Sequence, residues 1–254
     1  MLASLAVPSF ILPGTVKENV RFLGGRVGEV GLCFFESQAC LAYTDEDMPS
    51  VEEGKNLRFH VHLPLDLPWP DECGDSGEAK HTAQTAVAIL QKARHLAPRY
   101  AVLHAPQGSP ARQRSLLAVF AAQWQKLTPV PLLLENTSHC SVASLGQTFL
   151  EDWHVGFCLD TGHLLACQQH DILESDLPEK TALAHFSAPG EKRPHRHLPL
   201  QALTEAELNL LKKMAGRLPQ QCTHMLECFA WSDILASLPV MRDLIDHAVA
   251  KEKS

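Results

Sequence analysis

Short, almost continuous apolar runs punctuate the chain. Between them lie longer stretches in which apolar residues recur every three or four positions. The runs fall near residues 8–12, 29–36, 57–63, 100–105, 130–135, 155–160, 181–187 and 223–229. Runs this short, with few polar interruptions, read as strands buried on both faces of a parallel sheet. The intervening stretches read as helices. Residues 81–97 carry Ala86, Ile89, Leu90, Ala93 and Leu96 at helical spacing, and residues 110–127 carry Leu116, Leu117, Phe120 and Trp124. Thr15-Val16-Lys17-Glu18, after the Pro13-Gly14 turn, has the form of a capping box. So does Thr204-Glu205-Ala206-Glu207, which opens a helix to about Arg217. A last helix is predicted from about Ser232 to Lys251. Strand and helix alternate eight times with no linker or low-complexity segment between them. That predicts one α/β domain over residues 1–254, a (β/α)8 TIM barrel. An open doubly wound sheet would not need eight strands, and no G-x-G-x-x-G follows the first run.

The polar residues that end these runs are the more informative part of the pattern. Phe59-His60-Val61-His62 closes one run and Val102-Leu103-His104 the next. Leu132-Leu133-Leu134-Glu135 and Phe157-Cys158-Leu159-Asp160-Thr161-Gly162-His163 follow, then Ala182-Leu183-Ala184-His185 and Met225-Leu226-Glu227. Charged and imidazole groups at the ends of buried strands carry a desolvation cost unless something pairs with them. A barrel of this kind builds its site at the C-terminal ends of its strands. A divalent metal there accounts for all six endings together. Mixed imidazole and carboxylate ligands suit zinc, manganese or iron better than calcium or magnesium. Asp160-Thr161-Gly162-His163 is the most specific element, because a carboxylate at a strand's end and an imidazole three residues on can face one site. His195-Arg196-His197 offers two further imidazoles in a loop after a strand. His60 shares the parity of His62 and competes with it as a ligand, although it would point into the barrel one layer lower. His139, His154, His170, His224 and His247 read as structural. Glu36, after Phe34-Phe35, is a candidate to reach the pocket from the second strand. The segment 64–80, rich in Pro, Asp and Gly, is the longest loop after a strand and would lie over the same face.

Composition narrows the setting. Hydrophobic residues make up 45% and charged residues 20% of the 254, as in ordinary globular chains. The net charge of −7 disfavours a nucleic-acid partner, although three bound divalent ions would bring it close to neutrality. Of eight cysteines, Cys33, Cys158 and Cys228 sit inside strand-like runs and no short-spaced framework appears, so reduced thiols in a cytoplasmic protein are expected. The N-terminus lacks a basic leader, so no signal peptide is expected, and no run approaches the roughly 18 apolar residues of a membrane-spanning helix.

Asp160-Thr161-Gly162-His163, Glu135 after its leucines, His62-Leu63-Pro64, His104 and Glu227 resemble the xylose-isomerase-like barrel superfamily. Within it they are most similar to the family-2 AP endonuclease (endonuclease IV-like) branch. That branch holds three metals, usually zinc. By resemblance, His62, His104 and Glu135 would bind the first, with Glu135 bridging to a second held by Asp160, His185 and Glu227. His163, His195 and His197 would hold a third. His195 departs from the branch, which generally has aspartate there, so the third site loses one negative charge. A cluster of two or three divalent ions suits phosphodiester hydrolysis, in which Glu135 and Glu227 would orient the nucleophile. Glu135, Asp160, His185 and Glu227 alone would satisfy the single-metal pattern of the superfamily's sugar isomerases and epimerases; the surplus histidines favour hydrolysis. DNA cleavage as by an AP endonuclease is a further alternative, weakened by the absence of basic loops, and a non-catalytic binding barrel is another. Pro13-Gly14-Thr15 with Glu18-Asn19, residues 31–36, and the stretch from His60 to Trp69 resemble the cobamide-remodelling phosphodiesterases of the superfamily. The resemblance implies a small phosphodiester substrate such as the nucleotide loop of a cobamide, no membrane partner, and a corrinoid packed on the loop 65–69. Trp69 and Glu36 are thus the expected substrate contacts, with 65–69 equally suited to anchoring the barrel rim.

Overall fold

The eight apolar runs form eight parallel strands: β1 (Ala6–Pro8), β2 (Glu29–Cys33), β3 (Arg58–His62), β4 (Ala101–His104), β5 (Leu132–Glu135), β6 (Gly156–Asp160), β7 (Thr181–Phe186) and β8 (Thr223–Leu226). Each pairs with the next, and Ala6 of β1 pairs with Met225 of β8, so the sheet closes into a barrel with no edge. The computed structural model describes residues 2–71, 76–190 and 197–252.

The helices are α1 (Val16–Leu23), α2 (Ser37–Ala42), α3 (Ser76–Leu90), α4 (Pro110–Leu127), α5 (Phe149–Asp152), α6 (Thr161–Ala166), α7 (His170–Glu174), α8 (Glu205–Ala215) and α9 (Trp231–Glu252). Both predicted capping boxes form: Thr15 with Glu18 opens α1, and Thr204 with Glu207 opens α8. Each satisfies two amides that a helix start otherwise leaves without partners.

Four boundaries differ from the sequence reading. The first strand lies at Ala6–Pro8, not 8–12. The amides of Ile11 and Leu12 both donate to the Asn19 Oδ1 carbonyl, at 2.9 and 3.0 Å, and so are withdrawn from a sheet ladder. The helix expected over 81–97 begins earlier, at Ser76, and tightens into a 3-10 helix at Gln91–Leu96. The second and last runs leave the sheet at Cys33 and Leu226, so Glu36 and Glu227 lie beyond strand ends. No helix among the described residues is long and apolar enough to cross a membrane.

Side chains alternate in and out along each strand, so the barrel interior is built in layers two residues apart. One layer is apolar: Ala6, Val102, Leu133, Cys158, Leu183 and Met225. Two residues further on, β4 to β7 present His104, Glu135, Asp160 and His185, and Glu227 follows the end of β8. His62 joins them from β3. The polar layer therefore follows from the strand period once the apolar one is set. The outer faces of the strands pack against the helices through a larger core that includes Phe34, Phe120, Trp124, Phe157 and Phe186.

Candidate metal centre

The polar layer converges on Glu135. Its Oε2 lies 3.1 Å from His62 Nε2 and 3.3 Å from His104 Nε2. Its Oε1 lies 3.6 Å from His185 Nδ1 and 3.8 Å from His163 Nδ1. One carboxylate thus spans two groups of imidazoles. His185 Nδ1 also approaches Glu227 Oε2 at 3.2 Å, and His197 Nδ1 approaches the same oxygen at 3.4 Å. His163 Nδ1 stands 3.3 Å from Asp160 Oδ1.

These residues form two metal-sized sets that share Glu135. The first is His62, His104 and Glu135. The second is Glu135, Asp160, His185 and Glu227. Within each, one ligand atom per residue lies within 4.8 Å of all the others. Whether such a set suits a cation can be judged from its hydrogen bonds. His104 Nε2, Asp160 Oδ2, His185 Nδ1 and Glu227 Oε2 are buried and make none among the described residues, although their neighbours are close. Four buried polar atoms aimed at common points without aligned partners fit a divalent ion, which would satisfy them together. The set is a mixture of nitrogen and oxygen donors, as zinc, manganese or iron prefer.

The electrostatics of the metal-free protein agree. Burial alone would raise the Glu135 carboxyl, but the His104 and His185 rings outweigh it and hold the group well below the usual carboxylate range. Glu227 is likewise held down, against burial, by His185 and His197. Burial opposes the charge on His185, yet Cys158, Glu227 and Glu135 lift its pKa well above the ordinary value. His163 is lifted, against burial, to about 9 by Asp160 and Glu135. The raised His163 and His185 gather positive charge beside these carboxylates, as a bound cation would.

Local chemistry fixes the ligands in place. Asp160 ends β6 and its Oδ1 accepts from the His163 backbone amide, capping α6. Asp160's own backbone is clamped by Asn136, whose Oδ1 accepts from the Asp160 amide at 2.7 Å while its Nδ2 donates to the Asp160 carbonyl at 2.9 Å. Gln169 completes the clamp, accepting from Asn136 at 2.9 Å and donating to the Thr137 carbonyl at 2.7 Å. Gly162 lets the end of β7 approach: a Cβ there would meet Ser187 Oγ at 2.5 Å. Ser187 Oγ in turn lies 3.1 Å from His197 Nδ1. The distal Nε2 of His185 faces the Cys158 thiol at 3.6 Å, and burial pushes that thiol's pKa up. Metal-ligating histidines are ordinarily oriented through their second nitrogen in this way.

His62, His104, Glu135, Asp160, His163, His185, His197 and Glu227 thus come together, while His195 lies outside the described residues. His60 does not join them. Its Nδ1 is 2.8 Å from Glu29 Oε1 in the layer beneath, where Arg58 and Arg99 also reach Glu29. Glu36 is exposed at the rim and makes no side-chain cap to α2. Trp69 is partly buried against Phe120, with ring centroids 5.2 Å apart, and Leu67 beside it is buried, so this part of the loop is anchored on α4. Sequence reasoning missed Asn136, Gln169 and Glu29. Asn136 adjoins Glu135, and that adjacency was the available signal.

The sequence matches no family model and no curated protein. Solved structures similar to it include endonuclease IV from Thermus thermophilus, at 16% identity, covering 96% of this chain and 98% of that one with a TM-score of 0.65. A D-tagatose 3-epimerase-like protein is similar at 12% identity over 98% and 99% of the two chains, with a TM-score of 0.63. A xylose isomerase domain protein from Alicyclobacillus acidocaldarius is similar at 16% identity over 96% and 99%, with a TM-score of 0.59. Identities this low establish the shared barrel fold and do not choose among reactions.

Proposed function

We propose that this protein is a metal-dependent phosphodiesterase of the endonuclease IV-like type, acting on a small diester such as the nucleotide loop of a cobamide. The observation that carries the reading is the reach of Glu135. One of its oxygens faces His62 and His104, and the other faces His185 and His163. A carboxylate placed between two nitrogen sets suits a pair of ions. His62, His104 and Glu135 would hold one ion, and Glu135, Asp160, His185 and Glu227 the other. His163 and His197, with His195, would hold a third.

Bound divalent ions would supply Lewis acidity toward the phosphate oxygens and lower the pKa of a water nucleophile. The chain supplies the rest. Glu135 and Glu227 stay ionised although buried, so each can accept a hydrogen bond from that water and orient it. His62 and His185, whose pKa values are raised, bind only as neutral rings, so activity falls as pH drops and they are protonated. Cys33, Cys40, Cys140, Cys158, Cys222 and Cys228 are buried thiols outside any disulfide, which suits the reducing cytoplasm.

A second reading is a single-metal sugar isomerase or epimerase. It is favoured by Glu135, Asp160, His185 and Glu227 forming a complete four-ligand set without the remaining histidines. The two readings part at His104. A hydrolase needing two ions loses activity in His104→Ala, whereas an isomerase tolerates the change. Protein purified without chelators should hold at least two metal equivalents and hydrolyse bis(4-nitrophenyl) phosphate, and Glu135→Gln should abolish that hydrolysis. Incubation with adenosylcobamide, followed by mass spectrometry, tests the substrate, and an intact cofactor would exclude it. Less than one metal equivalent would count against both enzymatic readings.

A further inference from the structure

Three phenylalanines stand in the open beside the polar layer. Phe10, Phe35 and Phe229 are 46%, 37% and 37% exposed. They follow β1, β2 and β8, which are consecutive in the closed barrel, so the fold itself gathers them. Their ring centroids lie 4.9 Å (Phe10–Phe35), 6.1 Å (Phe35–Phe229) and 6.4 Å (Phe10–Phe229) apart, all edge to face. Phe229 also meets the His197 ring edge-on at 5.2 Å, and His197 is the neighbour of Glu227. The patch is therefore continuous with the candidate metal centre. Large exposed apolar groups in contact with one another commonly mark a binding surface.

The chemistry of the surrounding loops selects an occupant. Residues 9–15, 34–36 and 227–230 contain no Lys or Arg, and their charged members are Glu36 and Glu227. Among the described residues, these loops offer a polyanionic chain no counter-charge. The hydroxyls of these loops are engaged internally: Ser9 Oγ accepts from the Cys33 amide, and Thr15 is held in its capping box. A polyhydroxylated sugar therefore finds few partners. What remains is aromatic face and edge, which favour a flat apolar ring.

We infer that Phe10, Phe35 and Phe229 form a seat for a flat, uncharged ring carried by the diester, next to His197. The inference rests on the phosphodiesterase reading and adds the specificity-determining residues. It is tested on the zinc-loaded protein with two diesters that share a leaving group, bis(4-nitrophenyl) phosphate and methyl 4-nitrophenyl phosphate. Only the first carries a second flat ring. Their intrinsic reactivities cancel when the ratio of kcat/KM values is compared across variants. Phe35→Ala and Phe229→Ala should each lower that ratio by about tenfold, mainly through KM, while Phe35→Tyr retains it. A ratio unchanged in both alanine variants overturns the seat.

If the wild type cleaves neither ester, the hydrolase reading fails and the seat is judged by binding alone. Saturation-transfer NMR with 1-naphthyl phosphate should then mark its ring protons in the wild type and lose them in the Phe35→Ala/Phe229→Ala double variant. No transfer to the ring in the wild type overturns the seat. So does a wild-type dimer that this double variant dissociates in sedimentation, since a second copy of the chain would then be the occupant.

Discussion

His185 brings Nδ1 to 3.2 Å from Glu227 Oε2, yet the two are not aligned for a hydrogen bond. Both atoms are buried and neither makes a hydrogen bond among the described residues. Such a pair suits two ligands of one ion, a role that would make Glu227 more than a counter-charge. Glu227→Gln keeps the shape and removes the negative charge and a proton acceptor. Diester hydrolysis should fall by about 100-fold or more, with metal content reduced and the circular-dichroism spectrum unchanged. Retention of full activity in this variant would remove Glu227 from the mechanism.

Metal removal should also be visible in stability. A ligand that binds only the folded state stabilises it by about 4 kcal/mol when present at a thousand times its Kd. Dialysis against a chelator should lower Tm by several degrees, and zinc should restore it. A Tm indifferent to chelator and zinc would mean that the polar layer holds no ion.

Metal binding should release protons. In the metal-free protein His163 titrates near 9 and His185 well above its ordinary value, so both rings are charged at neutral pH. Because these folded-state values are raised, the rings stabilise the metal-free fold below about 6.5, and this contribution is lost as pH rises through about 9. A ligating imidazole must be neutral, so zinc displaces the protons. Calorimetry at neutral pH in buffers of different ionisation enthalpy should show more than one proton released per chain, declining at alkaline pH. Heats independent of buffer would contradict this.

Beneath the metal layer, Glu29 offers a separate test. Burial would raise its carboxyl, but His60, Arg99 and Arg58 together hold it at about 2. A depressed carboxylate stabilises the fold above its ordinary value of 4.5, and that contribution disappears as pH falls toward about 2. Glu29→Gln should therefore destabilise by on the order of 3 kcal/mol at neutral pH, because it removes the charge of a buried carboxylate that His60 and the part-exposed Arg58 and Arg99 stabilise. The gap from wild type, read from urea midpoints, should close as the solution is acidified through this window. A gap independent of pH would show that Glu29 acts by packing alone.

Much of this organisation was legible in the chain. The barrel follows from eight apolar runs, and the polar layer follows from His104, Glu135, Asp160, His185 and Glu227 each standing two residues past an inward apolar position. Both are period-two patterns, which sequence displays directly. The first strand was displaced because Asn19 captures the Ile11 and Leu12 amides, a contact eight and seven residues away that no local pattern announces. His60 and His62 share parity, and the two-residue offset puts His60 one layer lower; its partner there, Glu29, lies 31 residues earlier in the chain, where no local pattern announces it. The phenylalanine cluster was hidden for a related reason. Phe10, Phe35 and Phe229 become neighbours only when β8 closes onto β1.

Gly162 ties the most specific sequence element to this geometry. An alanine there would place Cβ 2.5 Å from Ser187 Oγ and 3.3 Å from Asp160 Oδ1, both at the centre of the site. Ser187 cannot easily yield, because its backbone is held on both sides. Its amide donates to Thr161 Oγ1, which donates back to the Ser187 carbonyl, each at 3.2 Å. Gly162→Ala should cost about 2 kcal/mol, as overpacking does, and lower Tm by roughly 4–8 °C. The displaced Ser187 would also shift His197, so hydrolysis should drop further than stability alone explains. Ser187→Ala removes the clashing oxygen, so the Gly162→Ala/Ser187→Ala double variant should regain part of the lost Tm. The coupling between the two changes, read from a double-mutant cycle, should be at least about 0.5 kcal/mol. Strict additivity would show that the glycine is required for some reason other than the approach of Ser187.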